Sequence, residues 1–295
     1  MAVTAYDSTT AEASAWVQEL WEKTAAAALQ AGLKFSVPGN LRYALTSKAQ
    51  RDIVHFSTIP ALSVNDVTSA TGAIAPQATA ITDTSVTLNK WKEMSVEVIE
   101  DVLMTSFTDV MDELSQQFGD GLGGQIDKDV LGQHASITSN VVGDETTPES
   151  MSARLLLSAI QKLDDRDVPQ SNRTWVFAPV ARAQILQDTQ FAEAWSTGDK
   201  VGAMRTGELG TLYGYKPIIT SQVATVGSLR KNLLLHKDCL ALALHSKVKI
   251  RKLAFGLSSN STAGAYLSQI IVGTAFYGVG VPAETRGCVI NTALT

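Results

Sequence analysis

The chain has 295 residues, enough for one large or two ordinary domains with an ample core. Its net charge is −5, and only 18% of its residues are charged, below the roughly 25% of typical soluble domains. No like-charge run is long enough to form a nucleic-acid-binding tail, and the longest apolar stretch (residues 267–281, broken by Gln269) is too short for the ~20 residues of a membrane span.

Hydrophobic residues make up 45% of the chain and the mean hydropathy is +0.06. Two readings fit: a surface largely covered by partner subunits, or an ordinary soluble protein rich in Ala, Ser and Thr. The first ten residues lack the basic-then-apolar pattern of a signal peptide. Cys239 and Cys288 have no metal-ligand spacing and suit a reducing compartment as buried apolar residues. A protein made in the cytoplasm is expected.

In chain order, residues 1–31 open on a capping box, Thr9 with Glu12. Trp16, Leu20, Trp21 and Leu29 follow among alanines, and Gly32 ends the helix. A helix bearing two tryptophans reads either as an arm that docks on a partner or as one packed on its own body. Residues 51–56 and 86–91 alternate imperfectly as strands, the second continuing through residues 96–99. Between them lie residues 57–85, rich in Ser, Thr, Ala, Gly and Pro, so the region reads as a long two-stranded arm with a flexible tip.

Residues 101–134 follow without a proline. Leu103, Phe107, Val110, Met111, Leu114 and Phe118 take helical spacing, and steps of four continue through Leu122, Ile126 and Val130. About 30 helical residues make a rod of roughly 45 Å. Each step of four slews the apolar stripe by about 40°, so its two halves should meet different neighbours. Gly119, Gly121, Gly123 and Gly124 each cost about 1 kcal/mol relative to alanine in a helix. They mark either a bend or break, or the close approach of another backbone.

Beyond a polar linker, Thr147-Pro148 is expected to start a helix with Leu155, Leu156, Ala159, Ile160 and Leu163 on its apolar face, ended by residues 164–169. An α/β-like succession is then expected. It comprises a strand at residues 175–177, a helix at 179–186, a glycine-punctuated loop at 198–214 and strands at 216–219 and 233–235. A helix at 237–244 and a strand from 247 follow. The chain closes with two strands, residues 266–277 and 286–292, read as a hairpin turning near Gly280-Val281-Pro282. Lys247, Lys249 and Arg251 alternate with Val248 and Ile250, giving a charged face for a neighbouring subunit or for phosphate, or a merely solvated one.

Chemistry is sparse. No H-E-x-x-H, G-x-S-x-G or P-loop pattern occurs. Residues 278–283 fit the G-x-G-x-x-A outline, but Pro282 and the dozen residues left exclude the βαβ unit a dinucleotide loop needs. Asp164, Asp165 and Asp167 read as a solvated helix end rather than a cation loop, and His236 with Cys239 lacks the further ligands of a zinc site. No catalytic, cofactor or metal site is assigned.

This order of parts resembles the major capsid proteins of tailed bacteriophages with the Hong Kong 97-type fold. The residues that carry the resemblance are Trp175-Val176-Phe177-Ala178-Pro179 leading to Ile185-Leu186-Gln187-Asp188, and Gly207 through Ile218 as a glycine-rich approach to a strand. His236-Lys237-Asp238 with Ala241 and Ala243, and the ending from Tyr277-Gly278-Val279 to residues 289–293, complete it. The resemblance implies an α+β fold with an N-terminal arm (1–40), an extended loop (41–100), a peripheral domain with a spine helix (101–147 and 263–295) and an axial domain (148–262). It implies spine-helix packing through Phe107, Met111, Leu114, Phe118, Leu122 and Ile126, and a structural rather than enzymatic role.

The implied partners are copies of the chain in hexamers and pentamers, a separate scaffolding protein, and portal and decoration proteins. Double-stranded DNA would be enclosed without tight specific binding, and there would be no membrane contact. The implied place is the virion, assembled in the host cytoplasm. A cellular nanocompartment shell and a soluble α/β enzyme with residues 148–262 as its catalytic domain are the alternatives.

Overall fold

The computed structural model describes residues 23–46, 53–58, 64, 81–99, 110–188, 209–253 and 268–294. Two cores organise it, one on each face of a shared sheet. That sheet has the order β5-β12-β9-β6-β7, formed by β5 (Val141–Val142), β12 (Gly287–Ala293), β9 (Leu229–His236), β6 (Arg173–Phe177) and β7 (Lys216–Ile219), with β8 (Thr225–Val226) hairpinned onto β9. Its strands alternate strictly. Val176, Leu233, Leu235 and Val289 enter one core, and Trp175, Phe177, Leu234, Cys288 and Ile290 the other. Burial on both faces explains why these strands read as continuous apolar runs.

The second of these cores is closed by α3 (Ala153–Asp164) and α4 (Pro179–Gln187). Leu155, Leu156, Ala159 and Leu163 form the buried stripe of α3, as the spacing predicts. Its start differs: residues 148–152 are not helical. Instead Asp144 accepts hydrogen bonds from the Thr146 amide and from the Thr146 and Thr147 hydroxyls, holding a turn ahead of Pro148. The first amide of α3, at Ala153, donates to Asp188 Oδ2 (3.1 Å) from the far end of α4, and Met151 N–H donates to Gln184 Oε1 (2.8 Å). Those tertiary acceptors satisfy donors that a local cap would otherwise serve.

The first core is built on α2 (Val110–Leu131), followed by a 3₁₀ turn over Gly132–Ser136. One side of α2 packs on a sheet of order β1-β10-β11-β4, made of β1 (Arg42–Thr46), β10 (Ala241–Leu253), β11 (Ser268–Gly280) and β4 (Lys90–Ile99). The other side meets α1, helical over residues 23–32, as the stop at Gly32 predicts. Phe118, Leu122 and Ile126 are 1–2% exposed. Burial of side chains of this size contributes about 1.5–3 kcal/mol each.

A third, two-stranded sheet pairs β2 (Ile53–Thr58) with β3 (Thr82–Thr87), giving the base of the arm expected over residues 41–100. Apart from Val64, the tip of that arm lies outside the described residues. So do the tryptophan-bearing start of the N-terminal helix, residues 101–109 of the expected long helix, and residues 198–208 of the glycine-punctuated loop.

Three further expectations are corrected. Residues 86–99 are not one strand: β3 ends at Thr87 and β4 opens at Lys90 in a different sheet. The helix expected at 237–244 is absent: residues 237–239 form a turn and 241–244 open β10, because Ala241, Leu242, Ala243 and Leu244 are all buried between β1 and β11. The last two strands exist but form no hairpin. β11 pairs with β10 and β4, whereas residues 281–286 carry the chain across so that β12 pairs with β9 and β5.

Candidate functional site

Three polar anchors hold the segments of this framework against one another. The first lies on α2, which runs through all four of its glycines as one uninterrupted helix. A Cβ at Gly119 would stand 2.5 Å from Ala28 Cβ and 2.6 Å from the Ala25 carbonyl oxygen; one at Gly123 would stand 3.1 Å from the Leu29 carbonyl oxygen. These glycines are where α1 lies against α2 without intervening side chains. Gly121 faces the Met94 side chain, and a Cβ at Gly124 would have its nearest neighbour at 3.5 Å. Close backbone approach therefore accounts for Gly119 and Gly123, and the chain does not break at the cluster.

Directly beyond this crossing, Asp127 is 1% exposed. Its Oδ2 accepts the amides of Lys34 (2.7 Å) and Phe35 (3.2 Å), and its Oδ1 accepts that of Ser36 (2.9 Å). Three backbone donors more than ninety residues away thus converge on one carboxylate, seating the fully buried Phe35 against α2. Nothing in the sequence marks this residue, because its partners are main-chain atoms.

Asp129, one turn from Gln125, is the second anchor. It accepts from Tyr277 Oη (2.7 Å) and Gln125 Nε2 (3.1 Å) and pairs with Lys90 Nζ (3.3 Å), tying α2 to β11 and to the start of β4. Burial, reinforced by the Asp129 hydrogen bond and charge, pushes the Tyr277 phenol well above its usual range. It therefore stays a donor.

Asp238, in the turn between β9 and β10, is the third. It joins Arg42 Nε of β1 (3.0 Å) to Arg286 Nη1 of the segment before β12 (2.7 Å), with His236 Nδ1 3.6 Å away. Burial raises the carboxyl pKa, but the Arg42 hydrogen bond and charge, with His236 and Arg286, outweigh it and leave Asp238 below its ordinary value.

Of the spine-helix residues singled out from sequence, Phe118, Leu122 and Ile126 are buried in the core and Leu114 packs partly against it. Phe107 and the side chain of Met111 lie outside the described residues. Lys249 is exposed and Ile250 is 1% exposed on opposite faces of β10, as the alternation predicts; the Lys247 and Arg251 side chains lie outside the described residues.

The remaining motifs are absorbed by structure. Gly278 and Gly280 sit in β11, where a Cβ would stand 2.3 Å from the Thr87 carbonyl oxygen and 2.6 Å from Val86 Cγ2. They let the base of the β2–β3 ribbon lie on the sheet. Asp164 pairs with Arg173 (2.7 Å), whose buried guanidinium also donates to the carbonyls of Val168 and Pro169. His236 Nδ1 accepts the Asp238 amide (3.3 Å), and burial pushes the Cys239 thiol up to about 12, away from metal-binding thiolate. Among the described residues no cluster of three or more His, Cys, Asp or Glu is placed to hold a metal, and no helix is long and apolar enough to cross a membrane.

The outward surface carries the exposed apolar side chains Trp91 (75%) and Ile53 (44%), at the foot of the ribbon. The Trp91 ring meets Phe276 edge-on at 6.5 Å, and Phe276 in turn packs with Val54, Phe56 and Val86 under the ribbon.

No protein-family model and no curated protein matches the chain in sequence. Solved structures do match its backbone. The capsid structure of the cyanophage P-SCSP1u is 14% identical with a TM-score of 0.65, over 87% of this chain and 87% of that one. The asymmetric unit of the bacteriophage PhiM1 mature capsid is 13% identical with a TM-score of 0.62, over 87% and 86%. A structure from Mycobacterium phage Che8 is 17% identical with a TM-score of 0.64, over 82% and 85%. The chain has the α+β fold of these phage structures, two of which are capsids.

Proposed function

We propose that this chain is the major capsid protein of a tailed bacteriophage, a structural subunit that self-assembles into an icosahedral head enclosing double-stranded DNA. The observation that carries the reading is the likeness of nearly the whole backbone to phage capsid structures. On this reading residues 1–40 are the arm, 41–100 the extended loop, 101–147 and 263–295 the peripheral domain and 148–262 the axial domain. β12 then ties the peripheral segment to the axial sheet. Trp91 and Ile53, open at the foot of the ribbon, are surface that a neighbour covers in the shell. The mixed, heterologous contacts of such a shell close through symmetry into hexamers and pentamers.

A separate scaffolding protein directs assembly in the host cytoplasm, and portal and decoration proteins complete the virion. The net charge of −5 supports DNA being enclosed rather than tightly gripped, because strong binding requires many basic contacts to phosphate. Expression with and without the phage's scaffold, followed by electron microscopy, tests the reading. Closed particles are expected. Particles filled with a cargo enzyme instead of DNA would move the reading to a cellular nanocompartment.

A further inference from the structure

None of the three anchors accounts for an open pocket of about 590 Å³ where the C-terminal end of α2 meets the start of β4 and the loop before β8. Lys90, Lys128, Asp129, Gln222, Thr225 and Arg230 are among its lining residues. Its one carboxylate, Asp129, is already engaged by Tyr277, Gln125 and Lys90. Lys128 and Arg230 form no ion pair among the described residues. Arg230 donates through Nη1 to the Val223 carbonyl (3.2 Å), and its Nε is buried without a partner.

Two uncompensated cations facing one pocket stand out in a chain with a net charge of −5. The end of α2 contributes about half a negative charge there. That works against an anion, but two full cations outweigh it. The cations come from two different elements, Lys128 from α2 and Arg230 from β9. Gln222 and Thr225, which also line the pocket, carry neutral donors. A tetrahedral oxyanion accepts from several directions at once, which suits this arrangement better than a planar carboxylate does.

We infer that this pocket binds a phosphate-type oxyanion, held by Lys128 and Arg230. The source is either free phosphate or a backbone phosphate of DNA, and the DNA source rests on the capsid reading above. The probes are inorganic phosphate, read by the thermal midpoint of the subunit, and a short labelled DNA duplex, read by anisotropy across a salt series. Lys128→Gln with Arg230→Gln, checked for intact fold by circular dichroism, removes the pocket's charge. Lys249→Gln removes an exposed cation elsewhere.

The wild type and Lys249→Gln are expected to gain stability with phosphate, and the double variant to lose that gain. For the duplex, the slope of log K against log salt is expected to flatten by about 1–2 in the double variant. Phosphate stabilisation without a duplex effect assigns the site to free phosphate. A wild type that responds to neither probe, a double variant that responds like wild type, or displacement by a glutamate-rich peptide but not by phosphate overturns the inference. Shells that assemble from a wild type deaf to both probes would sink the pocket alone. Phosphate binding by a subunit that never assembles would sink only the capsid reading.

Discussion

Asp127→Ala should release the N-terminal segment from α2. The carboxylate accepts three backbone amides at 2.7–3.2 Å in a site 1% exposed. Hydrogen bonds to charged groups contribute about 1.5–3 kcal/mol each, and an orphaned buried donor costs about 1–3 kcal/mol. The three cannot be summed in full, because water enters the vacated space and the segment relaxes. A loss of about 3–5 kcal/mol is expected, a large part of the 5–15 kcal/mol that holds a typical domain folded. Asp127→Asn keeps one acceptor oxygen but turns an amide donor toward the remaining N–H groups, so it should lose less than alanine and more than zero. Urea unfolding of the monomeric subunit gives the magnitude, and hydrogen exchange across residues 23–46 gives the location. If alanine costs under about 1 kcal/mol, or the loss appears without deprotection of that segment, the carboxylate is not what seats it.

The glycines of α2 separate by their neighbours. Gly119→Ala places a Cβ 2.5 Å from Ala28 Cβ, so overpacking of about 1–3 kcal/mol outweighs the ~1 kcal/mol gained in helix propensity. Gly124→Ala meets nothing closer than 3.5 Å and should stabilise by up to about 1 kcal/mol, both changes being read by thermal unfolding. Acid should weaken the subunit through His236, whose pKa is lowered chiefly by burial and further by Arg286, Lys237 and Arg173, against the opposing pull of Asp238. Because the unfolded imidazole takes up its proton first, stability present above about pH 6.5 is lost as the pH falls below it. A urea midpoint that drops on acidification, with a shallower drop in His236→Asn, is the expected result; a rising midpoint would contradict the sign. Trp91→Ala should change subunit stability by less than about 1 kcal/mol, since the ring is 75% exposed, yet slow particle formation in light scattering.

Much of the framework was legible because its signals are local. The spacing from Leu114 to Val130 identified α2, and the Leu155 to Leu163 stripe identified α3, with no knowledge of partners. What misled was context. Residues 241–244 alternate alanine and leucine, good helix formers, but buried on both faces between β1 and β11 they are a strand. The closing strands were sound as strands. Their pairing was not, because neighbouring strands in sequence usually pair and here six intervening residues cross between sheets.

The anchors show where sequence reading stops. Gly119 and Gly123 are spaced four apart, and Ala25, Ala28 and Leu29 take complementary spacing, so a close crossing of two helices was open to inference. The sequence alone left it level with a bend. Asp127 carried no such signal, since an aspartate in an amphipathic helix ordinarily faces water and its three partners are main-chain amides. The clustering of Lys128 and Arg230 is equally silent in sequence, because it forms only when β9 folds beside the end of α2.

Electron microscopy of particles assembled from this chain, with and without a scaffolding protein supplied, tests the central claim most directly. The account predicts closed icosahedral shells whose subunit density follows the α2 spine and the β2–β3 ribbon, with Trp91 covered by a neighbouring copy. Only 31.4 kDa monomers under every assembly condition, or shells that leave Trp91 in solvent, would contradict it.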